Sequence, residues 1–210
     1  MTTANNDKLL SDVASYYAEK LTQHGLTPKG VDWNTEDGQL LRFKQLCKII
    51  SLDSVFSIND LGCGYGALFD YLVLHYTRFH YIGIDVCETM IEQAQKRLSQ
   101  YSQVQFVCAH HPNNLADYSI ASGIFNVKLG HSDKEWQTYF YDNLHLLNQV
   151  SLKGFSFNCL TSYSDQDKMS AKLFYPNPGV IFDYCKQNFS RNVALLHDYD
   201  LYEFTILVRK

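Results

Sequence analysis

Three glycines at alternate positions, Gly62, Gly64 and Gly66, follow a short apolar run and precede a helix-like stretch. Glycine lets the backbone turn tightly after a strand and come close to a ligand, an approach that any Cβ atom would block. Asp85 ends the next apolar run, about twenty positions further on, where nucleotide-binding α/β folds hold ribose hydroxyls with a carboxylate. This spacing predicts a site for a nucleoside-containing cofactor.

The order of these glycines is G-x-G-x-G, and Ala occupies position 67. The dinucleotide fingerprint is instead G-x-G-x-x-G, so the spacing disfavours a nicotinamide-dependent oxidoreductase. An acidic residue, Asp60, stands two positions before the first glycine. Together with Asp85, this pattern resembles motifs I and II of class I S-adenosylmethionine-dependent methyltransferases.

The resemblance extends over residues 34–210, and its specific part lies in residues 59–90. It implies that the glycine turn approaches the methionine part of S-adenosylmethionine, and that Asp60 orients the turn and the amino end of that cofactor. Asp85 is expected to accept hydrogen bonds from both ribose hydroxyls. Met90 matches a position that packs on adenine, although it could equally be a core residue. The predicted cofactor-binding residues are Asp60, Gly62, Cys63, Gly64, Gly66, Asp85, Val86, Met90, His110, Ser122, Gly123 and Arg42.

The segment after the third predicted strand departs from the family pattern. Relatives usually carry an acidic residue there that contacts the adenine amino group, whereas this chain has Ala109, His110 and His111. Either a histidine or the backbone replaces the acid, or the loop is built differently. Adjacent residues of an extended chain point in opposite directions, and no third ligand stands at metal-site spacing. We therefore expect no metal site here.

The fourth predicted strand ends beside the glycine turn, at the carboxyl edge of the sheet, where open α/β sheets bind ligands. Ser122, Gly123, Phe125 and Asn126 are therefore expected to line the point of methyl transfer. Asn126 could orient the substrate or cap the following turn, and the sequence leaves both roles open. His131 follows the strand closely and is the candidate general base if the reaction needs one.

Residues upstream of the first strand could complete the site. Arg42 lies where some relatives place a basic group against the cofactor carboxylate, although a solvated surface position is an alternative. Trp33, Asn34, Tyr16 and Tyr17 could form a lid that excludes water, as could the loop at residues 175–178. Simple packing is the alternative role for these aromatic residues.

Hydrophobic periodicity predicts an alternating α/β chain. Strands are expected near residues 55–61, 79–85, 104–108, 118–125, 154–160, 193–197 and 202–208. Helices are expected near residues 8–23, 67–76, 88–99, 132–148 and 180–188, with a further helix that Asn34 or Thr35 could cap. Because only residues 198–201 join the last two strands, those strands must be antiparallel. Together with this pattern, the resemblance implies a Rossmann-like three-layer sandwich with a seven-stranded, mostly parallel sheet, an antiparallel C-terminal hairpin and an N-terminal helical cap. The cap is assigned to residues 1–35 and the cofactor-binding domain to residues 36–210.

Composition limits the partners. The chain has 210 residues and a net charge of −4, and it lacks the basic stripe that nucleic-acid binding usually requires. The N-P-P-[YF] motif and the Pro-Cys nucleophile of nucleic-acid methyltransferases are also absent. No apolar run reaches the ~20 residues that span a bilayer, the polar start does not suit a signal peptide, and the scattered cysteines favour a reducing compartment. We therefore expect a cytoplasmic protein without membrane or nucleic-acid partners; its oligomeric state cannot be read from the sequence.

The sequence predicts an S-adenosylmethionine-dependent methyltransferase that acts on an oxygen or nitrogen of a small molecule. One alternative is a non-catalytic domain of the same fold that binds the cofactor or a partner. A nicotinamide-dependent oxidoreductase is the less favoured alternative.

Overall fold

The computed structural model describes residues 3–51 and 55–210 of the chain. The strands in this part are β1 (Phe56–Leu61), β2 (Phe79–Asp85), β3 (Val104–Cys108), β4 (Ala116–Ala121), β5 (Ser151–Leu160), β6 (Asn192–Leu196) and β7 (Glu203–Arg209). The α-helices in the same ranges are α1 (Thr3–His24), α2 (Glu36–Leu46), α3 (Ala67–His75), α4 (Glu88–Arg97), α5 (Asp133–Val150) and α6 (Pro178–Asn188).

All seven strands join one sheet in the order β3-β2-β1-β4-β5-β7-β6. The first five strands pair in parallel, while β7 pairs antiparallel with both β5 and β6. The order reverses between β1 and β4, and at such a switch point the connections leave in opposite directions and open a crevice at the carboxyl edge. The predicted Rossmann-like fold with its antiparallel C-terminal hairpin is thus confirmed.

Apolar side chains fill both faces of the sheet. Along β7, Phe204, Ile206 and Val208 belong to the core on the α5 and α6 face, whereas Leu207 belongs to the core on the α2 and α3 face. This alternation follows from the two-residue period of a strand. The same period turns Glu203 toward the side of α2, which matters for the site described below.

The fourth strand is shorter than predicted. It ends at Ala121, whereas the sequence suggested a strand to about residue 125. The reason is Gly123, whose φ of 79° leaves the extended region. The backbone N–H of Asn126 then donates to the carbonyl oxygen of Gly123 at 3.3 Å and closes a turn. Residues 122–126 therefore form a loop beside the glycine turn.

The N-terminal helix α1 lies over the carboxyl edge of the sheet. Tyr17 and Leu21 on this helix pack against a small buried cluster that contains Tyr65 and Met90. The side chain of Thr35 accepts a hydrogen bond from the N–H of Gly38 and so caps α2. The division between a cap and a domain at residue 35 stays a prediction. Among the described helices, none has the length and apolar character needed to cross a membrane.

Candidate functional site

The glycine turn joins β1 to α3 with an unusual backbone. The φ angles of Gly62, Gly64 and Gly66 are 75°, 53° and 82°, in the left-handed region that favours glycine. The N–H groups of Gly62 and Cys63 donate to the carbonyl oxygen of Ile84 at 2.7 and 3.1 Å. These two bonds fasten the turn to the end of β2, so the turn and Asp85 occupy fixed positions side by side.

The carboxylate of Asp85 accepts hydrogen bonds from two backbone groups. The N–H of Gly64 donates to Oδ2 at 2.8 Å, and the N–H of Cys87 donates to Oδ1 at 2.9 Å. Burial raises the pKa of Asp85, while these N–H donors act in the opposite direction. Each carboxylate oxygen keeps a further lone pair, so the half-buried side chain can still accept hydrogen bonds from a ligand.

Asp60 is the more deeply buried carboxylate of the site, with 2% of its surface exposed. The hydroxyl of Tyr81 donates to its Oδ2 at 2.5 Å. Burial raises the pKa of Asp60 to about 7, although the hydrogen bond from Tyr81 opposes this effect. Asp60 therefore gains or loses its charge near neutral pH.

A cavity opens at the carboxyl edge of the sheet, between the glycine turn, the tip of β2 and the end of β4. Helix α1 and the segment that contains Trp33 cover it. The predicted cofactor-binding residues that line this cavity are Asp60, Gly62, Cys63, Gly64, Asp85, Val86, Met90, His110, Ser122 and Gly123. The structure thus gathers residues from four separate stretches of sequence around one space.

Gly66 and Arg42 are absent from the cavity wall. The carbonyl oxygen of Gly66 accepts a hydrogen bond from Nη2 of Arg97 at 2.7 Å, and a Cβ atom at position 66 would lie 3.2 Å from side-chain atoms of Leu98 and Phe106. Gly66 therefore has a structural role, because it completes the glycine turn and precedes the first residue of α3. Arg42 forms an ion pair with Glu203 at 2.6 Å instead of facing the cavity.

The two residues predicted to be catalytic also lie outside the cavity wall. Nε2 of His131 lies 3.1 Å from Oδ2 of Asp12 on α1, so this histidine ties the helix to the loop after β4. The side-chain Oδ1 of Asn126 accepts a hydrogen bond from the N–H of Leu160 at 3.0 Å. The backbone carbonyl oxygen of Asn126 accepts one from the N–H of Phe174 at 2.8 Å. Asn126 therefore fastens the ends of β4 and β5 together. Phe125, which was expected in the site, is fully buried in the core.

Two tyrosine hydroxyls stand out among the other lining residues. Tyr17 on α1 and Tyr139 on α5 both line the cavity, and neither hydroxyl forms a hydrogen bond within the described part of the chain. Burial raises the pKa of both groups, and the charge of Asp85 adds to the effect. Both phenols are therefore protonated at neutral pH. The sequence suggested Tyr17 as a lid residue, but nothing near Tyr139 resembles a motif, so only the fold identifies it.

Ser122 is a third polar group of the cavity wall. Its Oγ is buried and has no hydrogen-bond partner within residues 3–51 and 55–210. An unpaired buried hydroxyl costs about 1–3 kcal/mol, which a polar ligand can recover. The cavity therefore contains a polar group whose hydrogen bonding is incomplete without a ligand.

The charge of the cavity wall is acidic. Asp60 and Asp85 line the cavity, and among the described lining residues there is no lysine or arginine. No group of three or more potential metal ligands occurs among the described residues either. The remaining wall is largely apolar and includes Leu10, Val13 and Val127. The arrangement suits a ligand with hydroxyl groups and a positive charge.

Comparison with known proteins agrees with this geometry. A family model described as a methyltransferase domain matches residues 58–149. A curated relative from Mycobacterium tuberculosis (strain ATCC 25618 / H37Rv), "Putative methyltransferase Rv1506c", is 53% identical over 163 residues, which are 78% of this chain and 98% of the relative.

Solved structures share the fold over nearly the whole chain. The DhpI-SAM-HEP complex has a TM-score of 0.66 and 12% identity, and the match covers 96% of this chain and 98% of the other. The N-methyltransferase NodS from Bradyrhizobium japonicum WM9, in complex with S-adenosyl-L-homocysteine, has a TM-score of 0.63 and 15% identity, with 94% and 97% of the two chains covered. At such identities the likeness concerns the fold.

Proposed function

The chain belongs to the class I S-adenosylmethionine-dependent methyltransferases, and on that basis we propose that it transfers a methyl group from S-adenosylmethionine to an oxygen or nitrogen of a small molecule. The observation that carries this proposal is the hydrogen bond from the N–H of Gly64 to Asp85, because it joins the glycine turn to a carboxylate on the wall of the same cavity. The unpaired Oγ of Ser122 beside them supports a polar ligand in the same space.

Several residues would hold the cofactor. Asp85 presents free lone pairs for the two ribose hydroxyls, and Met90 offers an apolar surface for the adenine ring. Asp60 can attract the ammonium group of the methionine part of the cofactor. Its carboxylate accepts a hydrogen bond from the hydroxyl of Tyr81, and it has no cationic partner among the described residues. His110 stands where relatives carry an acid, and we propose that this segment faces the adenine edge.

When bound, S-adenosylmethionine would supply an electrophilic methyl group, to which the acceptor would bond in line as the carbon–sulfur bond breaks and S-adenosylhomocysteine leaves. The protein then has to align the acceptor and exclude water, and such positioning can lower the barrier by several kcal/mol. Helix α1 and Trp33 cover the cavity and can exclude water. The protonated hydroxyls of Tyr17 and Tyr139 can hold an acceptor hydroxyl or amine. His131 does not line the cavity, and its role as a general base stays a prediction.

The acceptor is proposed to be a small molecule rather than a nucleic acid. The site is a covered, largely apolar cavity whose charged wall residues are both acidic. Phosphate-rich ligands bind through lysine and arginine, and neither type lines the described wall. The six cysteines are all free, which suits the cytoplasm that we propose as its compartment.

Calorimetry with S-adenosylmethionine, S-adenosylhomocysteine and NADH tests the cofactor. We expect micromolar binding of both sulfur nucleosides and none of NADH. A folded sample that binds neither sulfur nucleoside contradicts the proposal, and tight binding of NADH alone would point to an oxidoreductase. Screening amines, phenols and alcohols for formation of S-adenosylhomocysteine then identifies the acceptor.

A further inference from the structure

A closed circuit of contacts surrounds the end of β4. The backbone N–H of Gly123 donates to Oδ1 of Asn158 at 2.8 Å, and Nδ2 of Asn158 donates to Oε2 of Glu203 at 2.6 Å. Nε of Arg42 donates to both carboxylate oxygens of Glu203 at 2.9 Å, and its Nη2 donates to Oε1 at 2.6 Å. The chain of bonds thus runs from the loop after β4 through β5 and β7 to α2.

Trp33 closes the circuit. The guanidinium carbon of Arg42 lies 3.9 Å from the centre of the Trp33 ring, which is a cation–π contact. The indole also lies against Gly123, because a Cβ atom at that glycine would stand 2.4 Å from Cζ2 of the ring. Trp33 and Gly123 both line the cavity. The circuit therefore begins and ends on the cavity wall.

The middle of the circuit is deeply buried. Glu203 and Asn158 are 1% and 0% exposed, and the Arg42 side chain is 11% exposed. Burying such a pair gives little net stability, since apolar residues of similar size often serve as well. Its geometry, however, is restrictive, because a bidentate pair fixes the position and plane of the guanidinium, and the Trp33 ring lies against that group. The pair is thus better suited to orienting Trp33 than to stabilising the fold.

We propose that Trp33 forms the cavity wall against which the sulfur end of the cofactor and the acceptor are aligned, and that Glu203 is a positioning residue that holds Trp33 there through Arg42. This inference rests on the proposed function, because it requires the cavity to bind the cofactor. Gly123 also contributes to the position of Trp33, since only a residue without a side chain leaves room for the indole.

Fluorine NMR on protein labelled with 5-fluorotryptophan tests the contact. The sequence has two tryptophans, Trp33 and Trp136, and Trp136 is fully buried and donates to the carbonyl oxygen of Phe125, so it serves as an internal reference. The Trp33→Phe variant assigns the signals. We expect the Trp33 resonance to shift during a titration with S-adenosylhomocysteine, with the same dissociation constant that calorimetry gives.

Variants of the circuit test the positioning role. In Glu203→Gln, the charge that holds Arg42 is lost, so we expect a shifted or broadened Trp33 resonance and at least tenfold weaker binding of S-adenosylhomocysteine. Arg42→Lys keeps a positive charge beside Glu203 but removes the guanidinium that lies over the Trp33 ring, so it should disturb the Trp33 resonance as well. Asp117→Asn is the matched control, because it breaks a 2.8 Å ion pair with Lys153 at the opposite end of β4. Thermal unfolding shows which variants are folded.

The outcomes separate the two proposals. If calorimetry detects no S-adenosylhomocysteine binding to the wild type, the proposed function fails and this inference fails with it. If binding occurs but the Trp33 resonance does not respond at saturation, only the role of Trp33 is overturned. If Arg42→Lys and a folded Glu203→Gln both keep the wild-type resonance and affinity, the positioning role of Glu203 is overturned.

Discussion

The backbone N–H of Gly64 donates to Oδ2 of Asp85 at 2.8 Å, so the glycine turn after β1 is bonded directly to the carboxylate at the tip of β2. The two residues are 21 positions apart in the sequence. Parallel pairing of β1 with β2 brings their carboxyl ends to the same edge. The bond orients the carboxylate and steadies the turn at once, so a change at Asp85 should affect both.

The first prediction concerns Asp85→Asn. Asparagine offers one acceptor oxygen, so it cannot accept from both Gly64 and Cys87 and also bind two hydroxyls. Hydrogen bonds to charged groups contribute about 1.5–3 kcal/mol, so we expect affinity for S-adenosylhomocysteine to fall roughly 10- to 100-fold. Calorimetry measures the loss. Glu88→Gln, a nearby exposed acid, should bind like the wild type, and equal affinity in both variants would refute the ribose assignment.

The second prediction concerns the pH dependence of stability through Asp60. Burial raises the pKa of this carboxyl from its ordinary value of 3.8 to about 7 in the folded protein, so the folded state favours the protonated form. The contribution of Asp60 to stability is therefore greatest at low pH and is lost as pH rises through about 7. A shift of this size corresponds to at most about 4 kcal/mol.

The Asp60→Asn variant isolates this effect. All other groups titrate alike in both proteins, so the comparison reports on Asp60 alone. As the pH rises from 4 to 8, the unfolding free energy of the variant should increase relative to that of the wild type. Urea denaturation at both pH values measures it. A difference that is constant with pH would show that Asp60 stays charged in the folded protein throughout this range.

The third prediction concerns the two tyrosines of the cavity. Tyr17→Phe and Tyr139→Phe each remove a hydroxyl that has no partner in the described part of the chain, so folding should be unaffected. If these hydroxyls hold the acceptor, kcat/KM for the acceptor should fall about tenfold or more, as expected for a hydrogen bond of about 1.5 kcal/mol. Affinity for S-adenosylhomocysteine should stay the same.

A matched control for these tyrosines lies on α1, next to Tyr17. The hydroxyl of Tyr16 donates to Oδ2 of Asp32 at 2.7 Å, and Tyr16 does not line the cavity. Tyr16→Phe should therefore leave the acceptor kinetics unchanged. Steady-state kinetics with an acceptor found by screening compares the three variants, and equal kcat/KM values in all of them would rule out acceptor binding by Tyr17 and Tyr139.

The fourth prediction concerns the stability of the buried ion pair. Glu203→Gln leaves Arg42 buried without its counter-charge, and breaking such a pair typically costs about 3–5 kcal/mol. Urea denaturation should show this loss in unfolding free energy. Asp165→Asn removes the acidic partner of Lys168 at the surface, where both side chains are more than half exposed, and should change stability little. If both variants lose the same unfolding free energy, burial does not determine how much stability is lost when an ion pair is broken.

The elements and the glycine turn were predictable because their signals are local. Three alternate glycines permit the left-handed backbone angles that a tight turn uses, and Asp85 ends a strand that the apolar run already marks. The short link before β7 could only produce an antiparallel hairpin. Where the local pattern was ambiguous, prediction was less accurate: the apolar residues after Ala121 suggested a longer fourth strand, but Gly123 turns the chain there.

The sequence alone therefore determined the fold class, the glycine turn and the acidic residues beside it, because hydrophobic period and glycine geometry act over a few residues. Tertiary structure alone decided which distant side chains share the cavity. Tyr17, Trp33 and Tyr139 come from different segments, and no spacing rule relates them. Tertiary structure also turned Arg42 toward Glu203, 161 positions away, and fastened Asn126 to β5. Such contacts depend on how the elements pack, which no local pattern specifies.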